Sequence, residues 1–259
     1  MTSVPSQDSP PPSVSIITPA YNAARYIGAT IASVQAQTCT GWEMVIADDC
    51  SDDETCALVE ALAREDPRIV LVRQATNGGP AAARNLALAH ARGRYVCFLD
   101  SDDLWLPAKL ERQLTVMRVT GCAISYTAFR RISDDGTRIG RVIEVPETMT
   151  YRQLLKRTAI ANSTSMVDRE QTGPLRLVDA GYDDYILWLS LLRRGFEARG
   201  LNEDLVRYRV VGGSISSRPL RSAGWVWRIY RAQEGLGLLR AAWYLAHYGA
   251  RAYLKRLSY

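Results

Sequence analysis

Arg94-Tyr95-Val96-Cys97-Phe98-Leu99-Asp100-Ser101-Asp102-Asp103 is an apolar run that stops on three carboxylates separated by one serine. A short β-rich run bounded by polar residues reads as a buried strand, and in open α/β sheets ligands gather where such strands end. Acidic side chains this crowded repel one another unless a cation lies among them, and hard oxygen donors suit Mg2+ or Mn2+. A divalent ion holding a phosphate is one reading. The other is that Ser101, Asp102 and Asp103 cap a helix starting near Pro107, since Ser and Asp are favoured caps.

Upstream, Val14-Ser15-Ile16-Ile17-Thr18 predicts a first strand ending in the turn Pro19-Ala20-Tyr21-Asn22, with a helix over 25–37 behind it. Trp42-Glu43-Met44-Val45-Ile46-Ala47 predicts a second strand ending on Asp48-Asp49, so successive strands end in polar groups at one sheet edge. Ser51-Asp52-Asp53-Glu54 offers caps for a helix to about residue 65, and residues 69–73 read as a third strand. The glycines of Asn77-Gly78-Gly79-Pro80 permit close backbone approach ahead of an alanine-rich helix over 81–91 that carries Arg84 and Asn85. This alternation predicts an α/β protein with a parallel sheet and helices on both faces. Downstream, the pattern predicts a helix over 108–119, a strand over 123–131, a turn at Asp134-Asp135-Gly136 and a hairpin return over 138–145. A short helix over 150–158, an amphipathic helix over 183–194 stopped by Gly195, and closing strands over 196–201 and 205–211 complete it.

The chain has 259 residues, 47% hydrophobic and 23% charged, with net charge +5, which is ordinary globular usage for one large α/β domain with an appendage. Cys39, Cys50, Cys56, Cys97 and Cys122 form no Cys-x-x-Cys pair and are odd in number, so neither a zinc site nor a disulfide framework is indicated and a reduced, cytoplasmic chain is expected. Residues 1–13 are rich in Ser and Pro and read as a disordered tail rather than a secretory signal. No apolar stretch approaches the roughly 20 residues a membrane helix needs. One α/β domain is expected over 14–217 and a basic aromatic helical tail over 218–259. From Arg218 on, Arg221, Arg228, Arg231, Arg240, Arg251, Lys255 and Arg256 stand against the single acid Glu234, interleaved with Trp225, Trp227 and Trp243. Such helices read either as lying on an anionic membrane, here the cytoplasmic face of the inner membrane, or as packed on the domain with a solvated basic face. No nucleic-acid recognition motif accompanies them, so no nucleic-acid partner is expected.

Thr18-Pro19-Ala20-Tyr21-Asn22, Ala47-Asp48-Asp49-Cys50-Ser51, Asn77-Gly78-Gly79-Pro80-Ala81-Ala82-Ala83-Arg84-Asn85, Phe98-Leu99-Asp100-Ser101-Asp102-Asp103 and Asp183-Asp184-Tyr185-Ile186-Leu187-Trp188-Leu189 together resemble, in order, the family 2 glycosyltransferases. The resemblance covers about residues 14–211. It implies the GT-A fold, a Rossmann-like, mostly parallel sheet flanked by helices. It also implies an inverting, metal-dependent hexosyl- or N-acetylhexosaminyl-type transfer from a nucleotide diphosphate sugar, a UDP-sugar, to a hydroxyl of a lipid-linked or surface-glycan acceptor. By the same resemblance Pro19 and Tyr21 lie against the nucleotide, with Tyr21 stacking on the base. Asp49, with Asp48, accepts the base imide, while Gly79 and Arg84 lie along the nucleotide. Asp102 coordinates Mn2+ or Mg2+, and Asp100 contacts the ribose or a metal-bound water. Asp184 is the base for the acceptor hydroxyl, with Asp183 capping or orienting; the plainer alternatives are that Asp48-Asp49 is a solvated turn and that Asp183-Asp184 only caps its helix.

Two departures from the family pattern stand out. Cys50 replaces the glycine of the usual Asp-Gly-Ser, and Val211 stands where many relatives have a histidine, which leaves Arg209 and Ser214 as donors toward the diphosphate. The only histidines, His90 and His247, lie in the alanine-rich helix and the basic tail, so carboxylates must supply the base. A sugar nucleotidyltransferase or a dinucleotide-dependent dehydrogenase would need glycines after the first strand, and Thr18 to Asn22 has none. A non-catalytic nucleotide-sugar-binding protein on the same fold is the alternative of another class.

Overall fold

The computed structural model describes residues 12–211 and 219–257. Residues 1–11 of the tail expected over 1–13, together with Ser214 and Arg218, therefore lie outside the described residues. The strand and helix alternation is present as β1 (Val14–Ala20), α1 (Ile27–Gln35), β2 (Trp42–Asp48), α2 (Thr55–Glu65), β3 (Ile69–Arg73), α3 (Gly79–His90) and β4 (Tyr95–Phe98). Then follow β5 (Leu104–Trp105), α4 (Lys109–Thr120), β6 (Ile124–Ser133), β7 (Ile139–Ile143), β8 (Thr148–Met149), α5 (Tyr151–Leu154), β9 (Met166–Asp168), α6 (Arg169–Thr172), α7 (Asp183–Arg193), β10 (Ala198–Val210), α8 (Pro219–Arg228) and α9 (Leu238–Leu257).

The central strands are apolar on both faces and so require cover on both. Ile17, Val45, Val96 and Phe98 pack toward the alanines of α3 and toward Trp188 and Leu189 of α7. Ile16, Met44, Ile46, Cys97 and Leu99 pack on the other face with Ile27 and Ile31 of α1, Val59 of α2 and Leu110 and Leu114 of α4. β3, β2, β1 and β4 run parallel, with Ala20 opposite Asp48 and Ile17 opposite Phe98. β3, β2 and β1 end level and β4 stops three residues earlier, so the loops after β1, β2 and β4 share one edge.

β9 is not foreseen in the sequence, because three residues carry no periodic signal. It lies antiparallel between β4 and β6, with Met166 paired to both Cys97 and Ser125. Its reversed direction delivers the preceding 3-10 turn, Asn162–Thr164, to the carboxyl end of β4. The two closing strands are instead the single strand β10, parallel to β6, with bulges around Leu201 to Val206 that absorb the polar Asn202-Glu203. The helix near Pro107 begins at Lys109 behind Ala108, so Ser101, Asp102 and Asp103 do not cap it. Ser13, counted with the tail, is tied to the sheet: its amide donates to Gly41 O and its carbonyl accepts from Tyr95 N, each at 2.9 Å.

The C-terminal helices belong to the core rather than trailing from it. Val226, Ile229, Tyr230 and Ala241 are buried in the cluster that contains α7, and each large side chain there contributes about 2 kcal/mol. Tyr230 donates to Leu155 O and meets the Tyr185 hydroxyl at 3.3 Å. Glu234 accepts from Tyr151 at 2.7 Å and pairs with Arg193 at 3.2 Å. Leu238, Leu239 and Trp243 remain exposed. Among the described residues no helix is long and apolar enough to cross a membrane.

Candidate active site

The turn after β4 divides its three carboxylates among different tasks. Asp103 is buried; its carboxylate accepts from Ser163 Oγ and, at 2.8 Å, from the Arg209 amide, so it ties β10 and the Asn162–Thr164 turn to the strand end. Burial, then Asp102 and Asp100, push the Asp103 carboxyl well above the usual range. Asp100 accepts from Arg84 Nη2 at 2.5 Å and from Asn162 Nδ2 at 3.4 Å. Asp102 has no side-chain hydrogen bond or ion pair among the described residues, and its carboxyl is pushed up to about 6 by burial and then by Asp100. An unpartnered, partly desolvated carboxylate beside a second one suits a hard cation that shares its coordination with substrate phosphates. No ready-made cluster of three ligands exists among the described residues, so the arrangement fits an ion that arrives with a diphosphate rather than one held in a protein cage.

The loops after β1 and β2 clasp each other. Asn22 N donates to Ser51 Oγ at 2.9 Å and Asp52 N donates to Asn22 Oδ1 at 3.0 Å. Tyr21 projects from this rim, 54% exposed, beside the partly buried Pro19. Asp48 and Asp49 are 2% and 3% exposed, so the pair is not a solvated turn. Asp49 accepts from Gln74 Nε2 at 2.8 Å, Gly78 N at 2.7 Å and Gly79 N at 2.8 Å. A carboxylate offers about four acceptor positions, which leaves one on Oδ2. Asp48 Oδ1 is buried with no partner. Gly79, at φ +80°, adopts the left-handed conformation that turns its amide onto Asp49.

Cys50 occupies the same left-handed region at φ +67° without a glycine's freedom. That conformation costs a side-chain-bearing residue about 1–2 kcal/mol, partly offset by the larger unfolded-state entropy of glycine. Cys50→Gly is therefore expected to raise the thermal midpoint by about 2 °C, read by scanning calorimetry. An unchanged or lower midpoint would count against strain at this turn.

Arg84 joins the two halves of the site. It is 7% exposed, and its Nη1 donates to Asp183 Oδ2 at 2.7 Å while Nη2 holds Asp100, so one guanidinium bridges the start of α7 and the end of β4. Its Nε is buried with no partner. Asp184, the next residue, accepts only from the Tyr185 amide, at 2.7 Å, among the described residues. Burial and then Asp183 push its carboxyl up to about 7, against the pull of Arg84. The Tyr208 hydroxyl is raised by burial and then by Asp103, Asp100, Asp184 and Asp102.

Other residues stand apart. Arg209, expected toward the diphosphate, spends its Nε on Asp102 O and its Nη1 on Asp134 O, each at 2.8 Å, and braces the acidic turn instead. His90 bonds Leu86 O of its own helix, and His247 lies against Trp243. Asn162 and Ser163, which bond the carboxylates of Asp100 and Asp103, are not singled out by the sequence analysis. The one available signal was Asn162-Ser163-Thr164-Ser165, a polar run without Gly or Pro, which is wholly buried.

The profile of glycosyl transferase family 2 matches residues 15–184. The putative teichuronic acid biosynthesis glycosyltransferase TuaG of Bacillus subtilis is 45% identical over 247 residues, 95% of this chain and 98% of its own. The UDP-Glc:alpha-D-GlcNAc-diphosphoundecaprenol beta-1,3-glucosyltransferase WfgD of Escherichia coli is 36% identical over 217 residues, 83% of this chain and 84% of its own. S. aureus TarS 1–349 in complex with UDP-GlcNAc shares the fold at a TM-score of 0.70 and 22% identity, over 91% of this chain and 71% of that one. Mannosyltransferase PcManGT from Pyrobaculum calidifontis, in complex with GDP-Man and Mn2+, does so at 0.66 and 21%, over 95% and 75%. These likenesses bear out the GT-A fold. With a profile match running from the first strand to Asp184, and 45% identity over nearly the whole length, the chain belongs to glycosyl transferase family 2.

Proposed function

We propose that this glycosyltransferase moves a hexosyl or N-acetylhexosaminyl group from a UDP-sugar to a hydroxyl of a lipid-linked glycan, inverting the anomeric centre, with Mn2+ or Mg2+ bound at Asp102 beside Asp100. The observation that supports the reading is the Arg84 bridge, which ties Asp183, the neighbour of Asp184, to Asp100, two residues ahead of Asp102. Asp184 takes the proton of the acceptor hydroxyl as that oxygen bonds to the anomeric carbon, and the bond to the diphosphate breaks with its electron pair leaving on UDP. When bound, the ion supplies Lewis-acid screening of the charge on the departing diphosphate. Tyr21, Asp48, Asp49 and Gly79 form the nucleotide edge, with the open Oδ2 position of Asp49 facing the imide donor. Support for the donor and acceptor classes comes from the relatives: WfgD is named for UDP-Glc and a diphosphoundecaprenol-linked sugar, and TarS holds UDP-GlcNAc.

Asp102→Asn tests the reading. Mn2+-dependent thermal protection by UDP is expected to fall to its metal-free level, and transfer to drop about a thousandfold, several kcal/mol of lost charge stabilisation. Undiminished protection would refute the metal assignment, and retained anomeric configuration in the wild-type product would refute the displacement.

An acceptor anchored in lipid calls for contact with a bilayer, and we assign it to the exposed Leu238, Leu239 and Trp243 with Arg231 and Arg240 nearby. Glu234, the sole acid of that region, is neutralised by Arg193. Truncating before Arg218 would strip core residues, so the informative variant is Leu238→Glu with Leu239→Glu. Wild-type protein is expected to float with phosphatidylglycerol vesicles and the double variant to sediment alone; equal flotation would remove the assignment.

A further inference from the structure

The segment ahead of α7 and the helix α8 enclose a cavity of about 410 Å3 that the donor and the proton transfer leave unused. Its wall includes Asp179, Gly181, Trp225, Arg228, Ile229 and Gln233. Gly181 sits at φ +96°, and a Cβ there would stand 2.8 to 2.9 Å from three carbons of the Trp225 indole, so only glycine lets chain and ring meet this closely. Tyr182 meets the same indole edge-on at 5.2 Å and donates to Ser222 Oγ at 2.7 Å, which fixes the ring from a second side. Asp179, Arg228 and Gln233 are exposed at the mouth, and neither Asp179 nor Arg228 is in an ion pair among the described residues.

We propose that this cavity is the subsite for the saccharide of the acceptor. The proposal rests on the glycosyl-transfer reading and names the substrate class beside its base. Three peptide links separate Gly181 from Asp184, which limits their α-carbons to roughly 11 Å, within reach of one or two linked sugar rings. A pyranose has an apolar C–H face and a rim of hydroxyls. The fixed, half-buried Trp225 indole meets the first; a carboxylate, an amide and a guanidinium at the mouth supply directional acceptors and donors for the second. The volume is that of a small-ligand pocket. α8 thereby gains a role besides burial: it forms the acceptor-side wall next to the carboxylate that takes the proton.

The test uses the full chain and saturation-transfer NMR with the methyl α-glycosides of glucose, galactose, N-acetylglucosamine and N-acetylgalactosamine, in the presence of UDP and Mn2+. Wild-type protein is expected to transfer saturation to at least one glycoside. Arg228→Ala combined with Gln233→Ala, both at exposed positions, is expected to weaken that signal at least fivefold while UDP protection stays at the wild-type level. In turnover with a lipid-linked acceptor the same variant is expected to raise the acceptor KM about tenfold at constant donor KM. Silence of the whole panel with wild-type protein, or an undiminished signal in the variant, overturns the subsite. Absence of UDP protection in the wild type instead strikes at the donor reading, so the two failures are distinguishable.

Discussion

Asp184→Asn is expected to lower transfer by a factor of about 10^3 to 10^4, the scale of a lost general base, while Mn2+-dependent UDP binding persists. The wild-type profile of kcat/KM should rise with pH through about 7, where the half-buried carboxyl loses its proton, and then level off. The direction follows from the role: only the ionised carboxylate can take the acceptor proton. The same shift has a cost in stability. Asp184 titrates higher folded than unfolded, so the folded state binds more protons between about pH 4 and 7, and its stability falls as pH rises across that window. Asn in that position carries no charge to desolvate, so the variant should melt higher than wild type at pH 8 while being inactive. A variant with wild-type turnover, or a profile flat from pH 5 to 8, would remove Asp184 from the mechanism.

Arg84→Met should produce the largest loss of stability. The guanidinium is buried between Asp183 and Asp100, and removing it leaves both carboxylates facing Asp184 without a counter-charge. Breaking a buried pair in this way costs about 3–5 kcal/mol, or roughly 10 °C in a domain of this size. Arg84 also holds the Asp184 carboxyl down, so its loss should move the rising limb of the pH profile to higher pH. Surviving activity is therefore recovered in part by alkaline buffer, a rescue that a merely loosened fold would not give. Arg84→Lys offers one point charge in place of a fork, cannot serve both acids, and should fall between wild type and Arg84→Met in midpoint. Equal midpoints for wild type and Arg84→Met would mean that the bridge contributes nothing to stability.

The sequence by itself determined the alternating half of the fold and the kinds of residue at its edge. Val14 to Ala20, Trp42 to Asp48 and Tyr95 to Phe98 are apolar on both faces and end in polar turns, a local signal that survives without coordinates. It also separated the acids by position, because Asp102 and Asp184 each follow or open an element with clear periodicity. Which acid does what was decided only by tertiary structure. Asp103 looks equivalent to Asp102 in the chain, yet one is enclosed by Ser163 and Arg209 and the other carries no partner among the described residues. Arg84 and Asp183 lie 99 positions apart and meet because α3 and α7 cover the same sheet face. Likewise, the three residues of β9 carry no pattern of their own, and only their antiparallel insertion beside β4 brings Asn162 and Ser163 to the acidic turn. Periodicity reports which side of an element is buried; partners contributed from distant segments, and the charges they set, exist only once the sheet has closed around them.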